Sequence, residues 1–123
     1  MSALAVALTG NPNTGKSTIF NALTGARQKI GNWPGVTVDK KIGHTHYKGR
    51  AISIVDLPGT YSINARSPEE QIVIDYLTST KLDLVLNVVD SSNIERNLFL
   101  TVQLLEKGIP LLIDLNMQDD AQR

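Results

Sequence analysis

The chain has 123 residues, of which 41% are hydrophobic and 20% charged, which is enough apolar content for one globular core. Its 12 basic and 12 acidic residues cancel, so we expect no nucleic-acid partner, which normally requires a basic excess. The absence of cysteine excludes disulfides, thiolate metal sites and a cysteine nucleophile, and suits a reducing cytosol. The apolar runs are too short to cross a bilayer and the start lacks a signal-peptide layout, so we expect this segment to lie outside the membrane.

A strand, a glycine-rich loop and a helix are predicted at the start of the chain. The apolar run 4–8 is typical of a central parallel strand, and an amphipathic helix is predicted over 16–24. Between them, residues 10–17 read Gly-Asn-Pro-Asn-Thr-Gly-Lys-Ser, the pattern G-x-x-x-x-G-K-[ST]. In this setting the pattern predicts a phosphate-binding loop, with Lys16 on the β- and γ-phosphates and Ser17 on Mg²⁺. The alternative is a glycine-rich turn that matches by chance.

A long loop is predicted over 26–37, because this segment has no apolar period and is rich in glycine and proline. Long ordered loops in small domains are usually functional, so this one is a candidate nucleotide-sensing segment. The plainer interpretation is that Trp33 anchors the loop to the core.

An antiparallel hairpin is predicted next, with strands over 38–47 and 51–55. His44 and His46 fall on one face of its first strand. A metal pair is one interpretation, but with no third ligand nearby an exposed strand face is favoured.

The rest of the chain alternates helices and strands. A helix over 68–78, capped by Ser67, precedes a buried strand over 84–89. A second helix over 94–107 precedes a strand over 110–115. The core-facing residues predicted for the three helices are Ile19, Phe20 and Leu23, then Ile72, Val73, Tyr76 and Leu77, then Leu98, Val102 and Leu105.

This alternation predicts a three-layer α/β fold, with a mostly parallel sheet and one antiparallel hairpin near its edge. Ligands of such sheets bind beyond the carboxyl ends of the strands. Those ends carry Gly10, Asp56, Asp90 and Asn116, which places them near one another.

Three further residues fit a nucleoside triphosphate. Asp56 is suited to hold Mg²⁺ or its water, and Gly59 to offer its N–H to a γ-phosphate, although Asp-x-Pro-Gly is also an ordinary turn sequence. Thr37 is suited to bind Mg²⁺ through its hydroxyl, but spacing alone does not distinguish it from Thr14 or Thr24.

The stretch Asn116-x-x-Asp119 suggests a guanine site. A carboxylate accepts hydrogen bonds from the N1–H and 2-amino groups of guanine, whereas adenine offers neither, so a buried Asp119 rejects adenine. The alternative is a helix cap that follows the strand.

Together these motifs resemble the Ras-like P-loop G domains, and more closely the N-terminal G domain of FeoB, the prokaryotic ferrous-iron transporters. The stretches that carry the closer resemblance are 10–13, 31–38, 56–62, 87–90 and 93–98. It implies a GTPase module on the cytoplasmic face of the inner membrane, joined through a helical spacer to a membrane permease in the same parent chain. It also implies GTP/GDP, Mg²⁺ and K⁺ as ligands.

By this resemblance the nucleotide-binding residues are Gly10, Asn11, Pro12, Asn13, Thr14, Gly15, Lys16, Ser17, Thr18, Gly35, Val36, Thr37, Asp56, Leu57, Pro58, Gly59, Asn116, Met117 and Asp119. The residues assigned to catalysis are Asn13, Lys16, Thr37 and Gly59. Ser17, Thr37 and Asp56 are assigned to Mg²⁺, and Asn13 to K⁺, together with carbonyls of the 32–33 region.

The chain also departs from the family patterns. Met117 replaces the lysine of Asn-Lys-x-Asp, which implies weak guanine binding, and we have no account of Asp114. Thr60 stands where Ras-like enzymes carry a water-orienting glutamine, so we expect slow hydrolysis. The last guanine loop, a strand and the final helix would follow Arg123, so we expect 1–123 to be a C-terminally truncated G domain.

Arginine fingers and rival functions remain open. Arg27, Arg66 and Arg96 are candidates for an arginine in cis, and nothing in their positions selects one. One rival function is a regulator that senses guanine nucleotides without turnover, and another is an adenine-nucleotide P-loop enzyme, against which Asp119 argues.

Overall fold

The computed structural model describes residues 3–116, which form a six-stranded sheet and three α-helices. The strands are β1 (Leu4–Gly10), β2 (Gln28–Asn32), β3 (Asp39–Tyr47), β4 (Arg50–Asp56), β5 (Leu84–Asp90) and β6 (Leu111–Asn116). The helices are α1 (Lys16–Thr24), α2 (Pro68–Ser79) and α3 (Ile94–Glu106), and a 3₁₀ turn at Ser91–Asn93 precedes α3. Within this range, no helix has both the length and the apolar character needed to cross a membrane.

The sheet has the strand order β2-β3-β4-β1-β5-β6. Strands β4, β1, β5 and β6 are parallel, whereas β3 is antiparallel to both β2 and β4. This confirms the predicted α/β fold and its hairpin. Because the carboxyl ends of parallel strands share one edge, Gly10, Asp56, Asp90 and Asn116 all lie there, as predicted.

The core has two parts, one on each side of the sheet. Alternate side chains of β1 supply both, since Ala7 packs in the larger cluster and Leu8 in the smaller. In the smaller cluster Phe20 of α1 covers the sheet. The larger cluster contains Val73 of α2, together with Leu100 and Leu104 of α3. Helix α1 therefore covers one face of the sheet, and α2 and α3 cover the other.

The predicted loop over 26–37 contains a strand, so this prediction is wrong in part. Strand β2 pairs antiparallel with β3, from Gln28 opposite Gly43 to Asn32 opposite Asp39. Its sequence shows no alternation because it is an edge strand, and its one large apolar residue, Ile30, is 67% exposed. Backbone pairing offered by β3, rather than local propensity, makes this segment a strand.

The face of α3 predicted to be buried is also wrong. Leu98, Val102 and Leu105 are 39%, 50% and 54% exposed. The buried residues of this helix are Asn97, Leu100, Thr101 and Leu104.

A polar network explains this orientation of α3. The Thr101 hydroxyl donates to Oδ1 of Asn87, which lies fully buried on β5. Oδ1 of Asn97 accepts from the backbone N–H of Asp90 at 3.0 Å. Buried polar groups need such partners, so α3 turns its polar residues inward and leaves an apolar stripe outside.

The other helix predictions need one correction. Phe20 is fully buried and Ile19 half-buried, as predicted, but Leu23 is 44% exposed. On α2 the most buried residue is Val73, and its predicted neighbours Ile72, Tyr76 and Leu77 are half-buried.

Two local predictions are confirmed. Ser67 caps α2, with its Oγ accepting from the Glu70 N–H at 3.1 Å. His44 and His46 are both exposed, which agrees with the interpretation of an exposed strand face.

Candidate functional site

A cavity of about 490 Å³ opens where β1 ends. The loop 11–17 forms most of its wall, with Gly59 and Glu69 on the remaining side. Helix α1 begins at Lys16, and the N–H groups of its first turn have no partner within the helix. These donors and the positive end of the helix suit an anion, which is what the glycine-rich pattern predicted.

Lys16 connects this loop to the end of β4. Its ammonium donates to the Asp56 carboxylate and, at 2.7 Å, to the carbonyl of Leu57. Lys16 and Asp56 are only 9% and 8% exposed. A phosphate entering the cavity would compete with Asp56 for this ammonium.

Asn116 ties the end of β6 to the same loop. Its Nδ2 donates to the Thr14 carbonyl at 2.7 Å. Gly15 has φ +87°, a conformation that favours glycine, and a Cβ at this position would lie 2.1 Å from that nitrogen and displace the Asn116 amide. The other predicted guanine-site residues, Met117 and Asp119, lie outside the described residues.

The residues after β4 also lie against the phosphate loop. The Thr60 N–H donates to the Gly10 carbonyl at 3.0 Å, and Nδ2 of Asn11 donates to the Thr60 carbonyl at 2.9 Å. A Cβ on Gly59 would come within 3.1 Å of Pro12, so a side chain there would require the phosphate loop to shift by a few tenths of an ångström. The Thr60 side chain is buried and does not contribute to the cavity wall.

The segment 35–37 is not brought to the cavity. Gly35, Val36 and Thr37 are absent from its wall, and Thr37 is exposed. The start of this segment is fixed instead, because Trp33 is buried and meets the Tyr76 ring edge-on at 5.6 Å. The interpretation of Trp33 as a core anchor is therefore confirmed.

Sequence reasoning missed the position of Glu69. Glu69 lies in the first turn of α2, and the structure places it on the cavity wall. A signal was available, since a helix that begins shortly after Gly59 presents its first turn to the same space. Lys16 is the one cation on the wall of this cavity within the described chain, so none of the three candidate arginines reaches it.

The site fits a magnesium ion held jointly with phosphate. Ser17 is exposed at the start of α1, and the Asp56 carboxylate pairs with the neighbouring Lys16, so a phosphate that took Lys16 from Asp56 would leave one hydroxyl and one carboxylate for the metal. Mg²⁺ is commonly bound by one or two such oxygens, with phosphate and water completing its shell.

The parallel sheet, the phosphate loop at the end of β1 and the tethers from Asp56 and Asn116 define a P-loop nucleotide-binding domain with the GTPase fold. The family model described as "Ferrous iron transport protein B" matches residues 4–123, so the chain belongs to that family.

Curated relatives are similar over the whole chain. The Fe(2+) transporter FeoB of Shigella flexneri is 53% identical over 127 aligned residues, and that of Escherichia coli strain K12 is 52% identical. The chain spans only 16% of the length of either protein.

Solved structures of relatives share the fold. The cytosolic domain of L. pneumophila FeoB has a TM-score of 0.89 and 49% identity, over 96% of this chain and 47% of that one. A GDP-bound mutant of the S. thermophilus FeoB G-domain has a TM-score of 0.89 and 54% identity, over 97% of this chain and 46% of that one.

Proposed function

We propose that this chain binds and slowly hydrolyses GTP as the cytosolic regulatory module of a ferrous-iron membrane transporter. The observation that carries the proposal is Lys16, which lies in the wall of the loop-lined cavity within reach of Asp56. Family membership supports the transport context, and the GDP bound to a relative's G-domain supports the choice of nucleotide.

Nucleotide binding follows from the cavity. The N–H groups of the loop and of the first turn of α1 would surround the phosphates, with Lys16 on the β- and γ-phosphates. Ser17 and Asp56 would hold Mg²⁺, which neutralises phosphate charge when bound. Gly59 would donate its N–H to the γ-phosphate, and Thr37 would reach the same phosphate and Mg²⁺ if its loop closed.

Guanine selectivity is assigned to Asp119. Its carboxylate would accept from the N1–H and the 2-amino group, while the Asn116 amide holds the end of β6 against the phosphate loop. Met117 offers no lysine stem to cover the base, so affinity is expected to be weak.

Hydrolysis is expected to be slow. Thr60 is buried away from the cavity, and the cavity wall contains no arginine in the described part of the chain. We propose that Asn13 holds K⁺, whose charge offsets the charge that develops between the β- and γ-phosphates. The attacking water would then be oriented mainly by backbone groups.

Base selectivity is the first test. Fluorescent GDP and ADP are titrated side by side with Mg²⁺, using the wild type, Lys16→Ala and Asp119→Ala. We expect a clear preference for GDP, loss of binding of both nucleotides in Lys16→Ala, and loss of the preference alone in Asp119→Ala. Equal affinity of the wild type for both nucleotides in the full-length protein would contradict the guanine assignment.

Potassium dependence is the second test. Turnover of GTP in KCl is compared with turnover in NaCl, for the wild type and Asn13→Ala. The ratio is expected to exceed one and to fall to one in the variant. An unchanged ratio in Asn13→Ala would remove the proposed K⁺ site.

The surroundings of the domain are proposed from its relatives. We propose a helical spacer and a permease that follow in the same parent chain, with this domain at the cytoplasmic face of the inner membrane. The 16% coverage of the transporters supports a much longer parent. Mapping the topology of the full-length protein tests this arrangement.

A regulator without turnover is the second candidate function, favoured by the buried Thr60 and the lack of a wall arginine. Multiple-turnover hydrolysis in K⁺ distinguishes the two, because a pure sensor would release no phosphate beyond background. An adenine-nucleotide enzyme is the third candidate function. A preference for ADP in the GDP/ADP titration would support it, and a preference for GDP would exclude it.

A further inference from the structure

The loop formed by residues 57–66, here called the second loop, is held by a side chain of α3. Oε1 of Gln103 accepts from the Ile63 N–H at 2.8 Å, and Nε2 of Gln103 donates to Oδ1 of Asn64 at 2.8 Å. Both polar groups of this single side chain are therefore used on the second loop.

The same face of α3 makes another contact with the second loop. Arg96 precedes Gln103 by about two helical turns, so the two side chains lie on one side of the helix. The Arg96 guanidinium lies 4.2 Å from the centre of the Tyr61 ring, within the range of a cation–π interaction. Helix α3 thus contacts the second loop at two separated positions.

The second loop does not adopt this shape through local preference alone. Ala65 has φ +60°, a left-handed conformation that is unfavourable for a residue with a Cβ. The N–H groups on either side of it, from Asn64 and Arg66, both donate to Oε1 of Glu70, at 2.9 and 3.3 Å. Contacts from α2 and α3 hold the second loop in a conformation that would otherwise be unfavourable.

The second loop begins at the cavity. Gly59 lines the cavity wall, and Thr60 is hydrogen-bonded to the phosphate loop. Ile63 and Asn64 follow Gly59 by only four and five residues, so the Gln103 contacts that fix them also limit where the Gly59 backbone can lie. GDP lacks the γ-phosphate, so its binding would not depend on the position of this part of the second loop.

We propose that Gln103 is a positioning residue for GTP hydrolysis. By fixing the second loop it would hold Gly59 at the cavity wall, where its N–H could donate to a γ-phosphate, and the Arg96–Tyr61 contact supports the same loop. Through these contacts the γ-phosphate bound near Gly59 would be coupled to helix α3. This inference rests on the proposed GTPase function and names a residue that no nucleotide motif contains.

The test uses the full-length protein with Gln103→Ala, Gln103→Glu and the control Gln71→Ala. Gln71 is a matched control because its Nε2 donates to Asp75 on its own helix, at 2.8 Å, and within residues 3–116 to no residue of the second loop. Gln103→Glu keeps the acceptor for Ile63 and loses the donor to Asn64. The measured quantities are kcat and KM for GTP, the Kd for GDP, and hydrogen exchange of the second loop.

Loss of two hydrogen bonds predicts a kcat about tenfold lower in Gln103→Ala. Its Kd for GDP should stay within about twofold of the wild type, with faster exchange in the second loop and an intermediate kcat for Gln103→Glu. Gln71→Ala should match the wild type.

Two results would overturn the inference alone. One is an unchanged kcat in Gln103→Ala despite faster exchange of the second loop. The other is an equal weakening of GDP binding and kcat, which would mark a general structural role. A wild type that binds GTP but releases no phosphate would overturn the proposed hydrolysis, and this inference with it.

Discussion

Two loops follow the phosphate-binding loop along the chain, and they are fixed in different ways. The first loop, residues 33–38, closes on itself, with the Trp33 N–H donating to the Val38 carbonyl at 2.9 Å. Its contacts with the core are apolar. The buried Trp33 ring packs on α2 with its centre 4.6 Å from the Lys40 ammonium, and Val36 and Val38 pack against the larger core cluster. The second loop instead forms hydrogen bonds with the phosphate loop, α2 and α3.

The two loops also differ in the residue that each places in the left-handed backbone conformation. The first loop uses Gly35 for its left-handed residue, at φ +78°, and glycine adopts this conformation without strain. The second loop uses Ala65 at φ +60°, which depends on neighbours to hold it. Apolar contacts of Trp33, Val36 and Val38 thus hold the first loop, whereas a network of directional hydrogen bonds holds the second loop.

Replacing the apolar anchor has the largest expected effect. Trp33→Ala should lower the free energy of unfolding by about 3–4 kcal/mol, because it removes a buried aromatic ring and leaves a cavity. Urea denaturation measures this loss. Trp33→Phe is the control and should cost about 1 kcal/mol, because it keeps a ring and removes an indole N–H that has no partner within residues 3–116. A loss below about 1 kcal/mol in Trp33→Ala would show that the first loop is not anchored as described.

Removing the carboxylate that holds the second loop should have a smaller effect. Glu70→Ala is expected to cost about 1–2 kcal/mol of unfolding free energy, because two backbone N–H groups lose a charged acceptor at a half-exposed position. Glu70→Gln retains an amide oxygen and should recover roughly half of that loss. Equal stabilities of the Ala and Gln variants would mean that these hydrogen bonds do not hold the second loop.

Local signals in the sequence were sufficient for the elements around the phosphate site. The bounds predicted for α1, 16–24, are those of the structure, because a strand, a motif and a terminal glycine mark them. Ser67 and Pro68 likewise define the start of α2. Each of these features depends on residues close together in the chain.

The wrong predictions for β2 and α3 both depend on distant partners. Strand β2 has no pattern of its own and exists because β3 offers it a backbone edge. The orientation of α3 is set by Asn87 on β5, whose buried amide requires Thr101, and apolar periodicity gives no sign of this. The contacts of Gln103 with the second loop span about forty residues of sequence and were not predicted at all.

Relieving the strained alanine should sharpen the comparison of the two loops. Ala65→Gly removes a left-handed penalty of about 1–2 kcal/mol from the folded state. It also gives the unfolded chain more conformational entropy, which costs about 0.5–1 kcal/mol, so the free energy of unfolding should rise by about 0.5–1 kcal/mol. Lys48→Gly, at a left-handed residue in the β3–β4 turn, is the control and should gain a similar amount without affecting the second loop. Thermal unfolding measures both changes. A loss of stability in Ala65→Gly alone would show that the left-handed conformation carries little strain.

The smallest expected effect at neutral pH tests the support beneath Trp33. Burial raises the pKa of Tyr76 above its ordinary value near 10.0, so the folded protein keeps this proton where the unfolded chain has lost it. The contribution of Tyr76 to the free energy of unfolding is therefore fully present below about pH 10 and is lost as the pH rises through the pKa of the folded state. Tyr76→Phe should change the unfolding free energy by less than about 0.5 kcal/mol at pH 7 and reduce its fall above pH 10. The exposed Tyr47→Phe should retain that fall, and identical alkaline slopes in the wild type and Tyr76→Phe would mean that Tyr76 is not desolvated beside Trp33.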